Sequence, residues 1–375
     1  MKKRVLILYK FLPQYRVEFF DKLRDALLKY DIELVLIYGK LKNEEAKKND
    51  ERSLTWAVYR ENKVLNIGSI GLLWQPCLDM LLKVDLVIVE QANSLLVNYL
   101  LIPLSKEMKF KFAFWGHGSN LQDDPNSIKN KFKYFFLNRS DYWFAYTNGV
   151  AKFLSFKGVA SEKITVVNNA IDTKSLKQQY DDLSIKEVDE LKIQMGIKSN
   201  KIAIYCGGIY KEKRIDFLIE ASKIIKKDVK DFHLIFVGAG PEAYKVKEVS
   251  ENCDWIHYVG AKFGSDRVVY FKMSELFLMP GLVGLAILDT FATQTPMITT
   301  DFPYHSPEIE YLENGKNGIM AANNTEDYSK LVIDLFHNRE KICSLKEGCL
   351  KSSTLYSTEN MVENFTNGIL KCLQN

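Results

Sequence analysis

Leu276 to Asp301 reads LFLMPGLVGLAILDTFATQTPMITTD, and its reading decides the fold. Leu276–Met279 is an apolar run of strand length that breaks at Pro280–Gly281, and Met297–Thr300, entered from Pro296, is another. Between them Leu285, Leu288, Phe291 and Ala292 recur at helical spacing. The stretch therefore predicts strand, glycine loop, helix, strand. Such a loop aims backbone N–H groups and the positive end of a helix at Gly284–Leu285, which makes an anion site. Asp289 lies about one turn into the helix, where its carboxylate can reach whatever the loop holds.

Outward from this unit the same pattern repeats. Arg4–Tyr9, Glu33–Tyr38, Asp85–Val89, Phe112–Trp115, Tyr142–Ala145 and Ile164–Val167 are short apolar runs in the first half. Ile202–Tyr205, Leu234–Val237 and Trp255–Val259 continue the series in the second. Most are followed by polar turns and helical spacing, as in repeated βα units of parallel sheets. Tyr15–Leu28 reads as an amphipathic helix with Val17, Phe20, Leu23 and Leu27 inward. Lys40–Arg60 is polar and aperiodic, a loop excursion. The Lys-, Asp-, Glu- and Gln-rich segment from Thr173 to Asn200 is expected to hold the connection between two domains. Thr358–Leu373 is a final amphipathic helix. The expected division is residues 1–172 with a returning helix at 356–375, and residues 173–355. Two open sheets facing across a cleft would put their strand C-termini, and any ligand, there.

A chain of 375 residues with 47% apolar and 26% charged content can bury two cores and reads as soluble and globular. No apolar run approaches a membrane span, and Val5–Leu8 after the basic start reads as a first strand instead of a signal peptide. The six cysteines form no CxxC pair and no Cys/His cluster, which fits a reduced cytoplasm without zinc or disulfides. Residues 1–150 hold 23 Lys and Arg against 17 Asp and Glu, although the whole chain is only +4. Lys129, Lys131, Lys133 and Arg139 interleave with Phe132, Phe135 and Phe136, a pattern that suits an anionic membrane surface as well as an ordinary solvated helix. No nucleic-acid motif accompanies it.

Further residues stand where open sheets bind ligands. His117 sits between Gly116 and Gly118 after a strand. Lys213 and Arg214 follow the Cys206–Gly207–Gly208 turn on an expected exposed loop, and Arg16 stands near a helix start. Glu308 follows the Met297–Thr300 strand; it could bind a substrate hydroxyl or cap a turn. Val237–Ala243 matches a loose G-x-G-x-x-A dinucleotide turn, but Pro241 interrupts it and no acidic residue ends the next strand. A tight strand–helix turn is the better reading, with an NAD-dependent oxidoreductase as the remote alternative. No D-x-D ends a strand, so no metal is expected.

Leu276–Asp301 resembles the signature of family 4 retaining glycosyltransferases of the GT-B fold, E-G-F-G-L-P-x-x-E followed by a small-residue helix and G-T-P-V-I. Gly284–Leu285 fall on its G-L, Asp289 on the second glutamate and Gly281 on the first. Gly207–Arg214 is similar to the family's G-R-L-x-x-x-K-G, with Lys213 on the lysine and Gly208 on the arginine that clamp the donor diphosphate. Arg214 or Lys211 would then supply the missing charge. The resemblance implies two Rossmann-like domains with a terminal helix crossing back to the first. It also implies metal-free transfer, with retention, of a sugar from a UDP- or GDP-type donor to a glycan or lipid-linked acceptor. Asp289 would meet the donor ribose, His117 the donor sugar, and Arg16 an acceptor or phosphate. Gly208 and Gly281, both departures from the pattern, leave a GT-B protein without transfer activity as the alternative.

Overall fold

A strand that is apolar on both faces can be buried only in the middle of a sheet with helices on each side. β1 (Lys3–Tyr9) is such a strand, covered from Val5 to Tyr9. In this computed structural model, which describes residues 2–40, 52–67, 70–119, 124 and 127–374, it is an interior strand, third from one edge, of a seven-stranded sheet. The order is β3 (Val58–Tyr59), β2 (Ile32–Tyr38), β1, β6 (Leu86–Glu90), β7 (Lys111–Gly116), β8 (Tyr142–Ala145), β9 (Ile164–Val166), and every pairing is parallel. β4 (Lys63–Ile67) and β5 (Ile70–Trp74) form a separate antiparallel hairpin. This hairpin escapes the sequence reading. Residues 41–51 of the expected loop excursion lie outside the described residues.

The chain divides into two compact units, Met1–Ile171 with Thr358–Asn375, and Asp172–Ser357. In the first, α2 (Leu96–Met108) and α4 (Asn148–Phe156) pack on one face of the sheet, where Val97, Leu101, Val150 and Leu154 meet Val87, Val89, Phe112 and Phe114. α3 (Ile128–Phe136) adds Tyr134 and Phe136 to the same cluster. The other face is aromatic and is closed by α1 (Val17–Leu28) and the last helix, α13 (Thr358–Gln374). Phe365 stacks on Phe144 at 4.3 Å and stands edge-on to Trp115 at 5.0 Å and Phe19 at 5.4 Å. The terminal helix thus crosses back into the first unit. In α1 it is Phe19, not Val17, that is buried beside Phe20, Leu23 and Leu27. Gln14–Arg16 form a tight 3-10 turn, which shifts the phase of the helix that follows.

The second unit has six parallel strands in the order β12 (Ile256–Tyr258), β11 (His233–Val237), β10 (Ile202–Cys206), β13 (Leu276–Leu278), β14 (Met297–Thr300), β15 (Gly318–Ala321). Its helices are α5 (Thr173–Asp182), α6 (Ile185–Gln194), α7 (Ile215–Asp228), α8 (Ala243–Asn252), α9 (Val268–Lys272), α10 (Ala286–Ala292), α11 (Thr325–His337) and α12 (Arg339–Leu355). The polar segment after Thr173 is therefore two helices of this unit. Asp172 caps α5 by accepting from the Ser175 amide at 2.8 Å, and Ser184 with Glu187 forms a capping box on α6. Lys272 donates to the carbonyls of Tyr180 and Leu183 at 2.5 and 2.7 Å, closing the end of α5. Caps and borrowed donors hold these helices where few apolar positions mark them.

Candidate functional site

In the second sheet the strand order reverses between β10 and β13, and two loops leave their C-terminal ends at this switch point, the place where open sheets of this kind bind ligands. One loop is Gly207–Arg214 and the other Met279–Leu285. They are joined backbone to backbone: the Leu282 amide donates to Glu212 O at 2.9 Å. A Cβ at Gly281 would lie 2.3 Å from Glu212 O and 2.6 Å from the Lys213 carbonyl carbon, so the joint closes only on glycine. Gly281, one of the two glycines that depart from the family pattern, stands where the neighbouring turn leaves no room for a side chain.

A third segment braces the loop from below. The Val283 amide donates to His305 Nδ1 at 3.0 Å, and the Ser306 amide donates to Val283 O at 2.9 Å. With Nδ1 accepting, Nε2 carries the proton and donates to Thr300 O at 2.8 Å. Burial lowers the His305 pKa, which keeps this neutral tautomer in place. Nothing about His305 in the sequence separates it from an ordinary loop histidine.

Lys213 is buried instead of exposed, at 6% accessibility. Its ammonium donates to Leu282 O at 2.5 Å, touches Met279 Sδ at 3.6 Å and stands 5.5 Å from the Tyr210 ring. Among the described residues it has no carboxylate partner. Burial pulls its pKa down to about 8. A desolvated cation with one oxygen to hold is poised for an anion. Arg214 is spent differently. It takes a left-handed backbone conformation before α7, and its Nη1 reaches Pro280 O and Thr300 Oγ1 at 3.3 Å and the Asn323 side chain. Its guanidinium lies over Phe217 and Phe302, so its place is a brace under the loop. Gly207 donates to Val237 O at 2.9 Å, and Gly208 O accepts from the Tyr205 hydroxyl at 2.6 Å.

Beyond Gly284 the chain enters α10 with Ile287 and Leu288 donating to Gly284 O and Leu285 O. This leaves the amides of Leu285 and Ala286 at the mouth of the helix, first-turn groups for which a helix has no acceptor of its own. Asp289 is buried in the same helix, and both its oxygens are engaged by Arg267, at 2.7 and 2.9 Å. Arg267 also bonds the Cys206 sulfur, and burial pushes that thiol up to about 11, so it stays uncharged. Arg267 lies in the turn before α9 and carries no motif to announce it. Each Asp289 oxygen keeps a second lone pair for a ligand hydroxyl. Asp289→Asn is expected to cost about 3 kcal/mol of stability by leaving Arg267 without its counter-charge. The double variant with Arg267→Met should recover that stability but not nucleotide affinity, as urea denaturation and titration calorimetry would show. Recovery of both would reduce Asp289 to a structural ion-pair partner.

Glu308 is buried in the short turn Pro307–Tyr311 after β14. In the first unit, His117 follows β7 and meets the Tyr146 ring edge-to-face at 4.4 Å. Burial, with the Lys133 charge adding, pushes its pKa down to about 3, so it is a neutral hydrogen-bonding group. Arg16 is fully covered. It donates to Tyr9 Oη at 3.2 Å, Ala170 O at 3.0 Å and the Asn169 side chain, touches Met361 Sδ, and faces the Trp115 ring. It joins α13 to the centre of the first sheet. Gly238 and Gly240 of the dinucleotide-like turn have φ of +157°. A Cβ on them would lie 1.9 Å from Gly207 O and 2.1 Å from Ile209 O. Their open space is filled by this protein's own backbone, which leaves none for a pyrophosphate.

Residues 200–338 match the family of glycosyl transferases group 1. The chain is 24% identical to an uncharacterized glycosyltransferase of Methanocaldococcus jannaschii over 69% of its length and 68% of that protein. It is 26% identical to the alpha-monoglucosyldiacylglycerol synthase of Acholeplasma laidlawii, over 52% of this chain and about half of that one. The crystal structure of Anabaena Alr3699/HepE in complex with UDP-glucose superposes with a TM-score of 0.70 over 98% of this chain and 99% of that one, at 13% identity. The second unit therefore carries a glycosyl transferases group 1 domain, on a chain with the GT-B fold of glycosyltransferases.

Proposed function

We propose that this chain transfers a sugar from a nucleoside diphosphate sugar to the hydroxyl of a glycan or lipid-linked acceptor, with retention and without a metal, in surface glycan synthesis. The observation that carries the reading is the buried, uncompensated ammonium of Lys213 at the switch point of the second sheet. A leaving diphosphate brings the negative charge that this site lacks, and preorganised donors in a dry site stabilise such charge strongly. The amides at the mouth of α10 add to it, and in this reading the remaining lone pairs of Asp289 take ribose hydroxyls. The complex of Alr3699/HepE with UDP-glucose, on the same fold, favours a UDP-type donor. The test is a panel of UDP- and GDP-sugars, read by thermal shift and by release of the free nucleotide with and without chelator. A donor at 100 times its dissociation constant adds about 2.7 kcal/mol of stability. No stabilisation by any member, together with no nucleotide release, would reject the reading.

The acceptor side suggests work at the inner membrane face, from the cytoplasm. Among the described residues no helix is long and apolar enough to cross a membrane. On α3, however, Ile128, Phe132 and Phe135 are exposed beside Lys129, Lys131 and Arg139, with the Arg139 guanidinium 4.1 Å from the Phe135 ring. Lys133 is turned inward, where burial lowers its pKa to about 8. The name of the Acholeplasma relative, an alpha-monoglucosyldiacylglycerol synthase, points the same way. Vesicles with anionic lipid are expected to sediment the protein at low salt and neutral vesicles not, since each exposed cation contributes about 1 kcal/mol and the attraction is screened by salt. Replacing Phe132 and Phe135 by Ser should abolish binding; indifference to lipid charge would return α3 to an ordinary solvated helix.

A further inference from the structure

Strand β3 is two residues long and pairs with β2 at Ile37 and Tyr38 alone, while β1 pairs with β2 along its whole length. Beside Glu33–Val35 the edge of β2 therefore has no strand against it among the described residues. A groove of about 310 Å³ lies there, at the end of the first sheet where its strands begin. Arg16 and His117 follow β1 and β7 and so stand at the opposite end of the same sheet. Leu34, Val35, Trp56 and Met80 supply the apolar lining of the groove. The Trp56 indole is fixed in place: its Nε1 donates to Asp21 Oδ1 on α1 at 2.7 Å, and the Arg24 guanidinium stands 5.0 Å from its ring centre. Held at both its N–H and its face, this side chain keeps the groove in shape before anything enters it.

The charged lining is unbalanced. Lys2, Arg4 and Arg24 share the groove with a single carboxylate, that of Glu33. Glu33 Oε2 comes no nearer than 3.8 Å to Arg4 Nε, too far for a hydrogen bond. Lys2 and Arg24 have no carboxylate partner among the described residues. Stacking occupies the face of a guanidinium and leaves its N–H edge for a planar anion. An apolar cleft with a few convergent charged groups is the form that small-molecule sites take, and a lining of one sign selects the opposite charge. A second copy of this chain pairing through the bare β2 edge would set these cations against themselves. We propose that the groove binds an amphiphilic anion, an apolar ring or short chain bearing one carboxylate, sulfonate or phosphate, with Lys2 and Arg24 as its charge partners. The site lies away from the strand ends that the glycosyl-transfer reading uses and does not rest on that reading.

The test follows the indole N–H resonances of the isotope-labelled full chain, which has five tryptophans. Trp56→Phe identifies the Trp56 signal by its loss. Naphthalenesulfonate is expected to shift that signal saturably and to bind at least about tenfold more tightly than the neutral naphthalenemethanol, the worth of one hydrogen bond to a charged group. Methanesulfonate, the anion without the ring, should leave the signal unmoved. The double variant Lys2→Gln, Arg24→Gln should lose the preference for sulfonate over alcohol, and Arg24→Lys alone, which keeps the charge, should retain most of it. No movement of the Trp56 signal with the sulfonate, equal affinities of the two naphthalenes for the wild type, or a double variant that keeps the preference would each overturn the proposal. A sulfonate that shifts other tryptophans but not Trp56 is bound elsewhere and overturns it equally. Movement of the Trp56 signal with protein concentration alone would overturn it in favour of a second copy on the β2 edge. Arg24→Lys carries the test should the double variant not fold.

Discussion

Lys213→Met is expected to weaken UDP binding by about 10- to 100-fold while leaving the protein as stable as before, or more so. Loss of a hydrogen bond to a charged group is worth roughly 1.5–3 kcal/mol, and each 1.4 kcal/mol is tenfold in affinity. The stability side runs the other way. The Lys213 ammonium is desolvated against one carbonyl and a thioether, and a methionine of similar length fills the space without that cost. The pH dependence has a definite sign. Lys213 titrates near 8 in the folded chain and near 10.5 when unfolded, so between those values the unfolded chain binds more protons. The contribution of this group to stability therefore rises with pH across that window, and its cost is fully present below about 8. UDP affinity should fall over the same range as the cation is lost, and the Met variant should show no such step. Calorimetric titrations at pH 7 and 9 with urea denaturation decide the matter. A destabilised variant with unaltered UDP affinity would make Lys213 a structural residue.

Gly281→Ala should cost about 3 kcal/mol, the upper end of what overpacking does. The added methyl would meet Glu212 O at 2.3 Å and the Lys213 carbonyl at 2.6 and 2.7 Å, all main-chain atoms that cannot rotate aside. For a unit of this size that is a fall in melting temperature of roughly 6–12 °C. UDP affinity should fall with it, because the Leu282 amide and the Lys213 ammonium are held across the same joint. Gly281→Glu, which restores the acid of the family signature, should be worse. An unchanged melting temperature for Gly281→Ala would show that the two loops are looser than their hydrogen bonds imply.

The parallel sheets were legible because buried parallel strands are nearly continuous apolar runs; Tyr142–Ala145 and Met297–Thr300 could be read to the residue. The two helices after Thr173 were not, since they are held by caps and by Lys272, a lysine far along the chain. The Gly284–Leu285 loop was visible for its own spacing. The contacts that shape it come from His305, Arg267 and the Glu212–Lys213 turn, none adjacent to it in sequence. The burial of Lys213 follows from that folding-together and has no local signature.

The order of elements along the chain also constrains how the protein is made. The first unit is built from residues near both ends, with the whole of the second unit threaded between them. A growing chain can finish the second unit while the first still lacks α13. Until Thr358–Gln374 emerges, Phe19, Trp115 and Phe144 have no Phe365 against them, and Arg16 has no Met361. The earliest-synthesised half is thus the last to close. Any chain released before residue 358 exposes an aromatic sheet face that invites self-association.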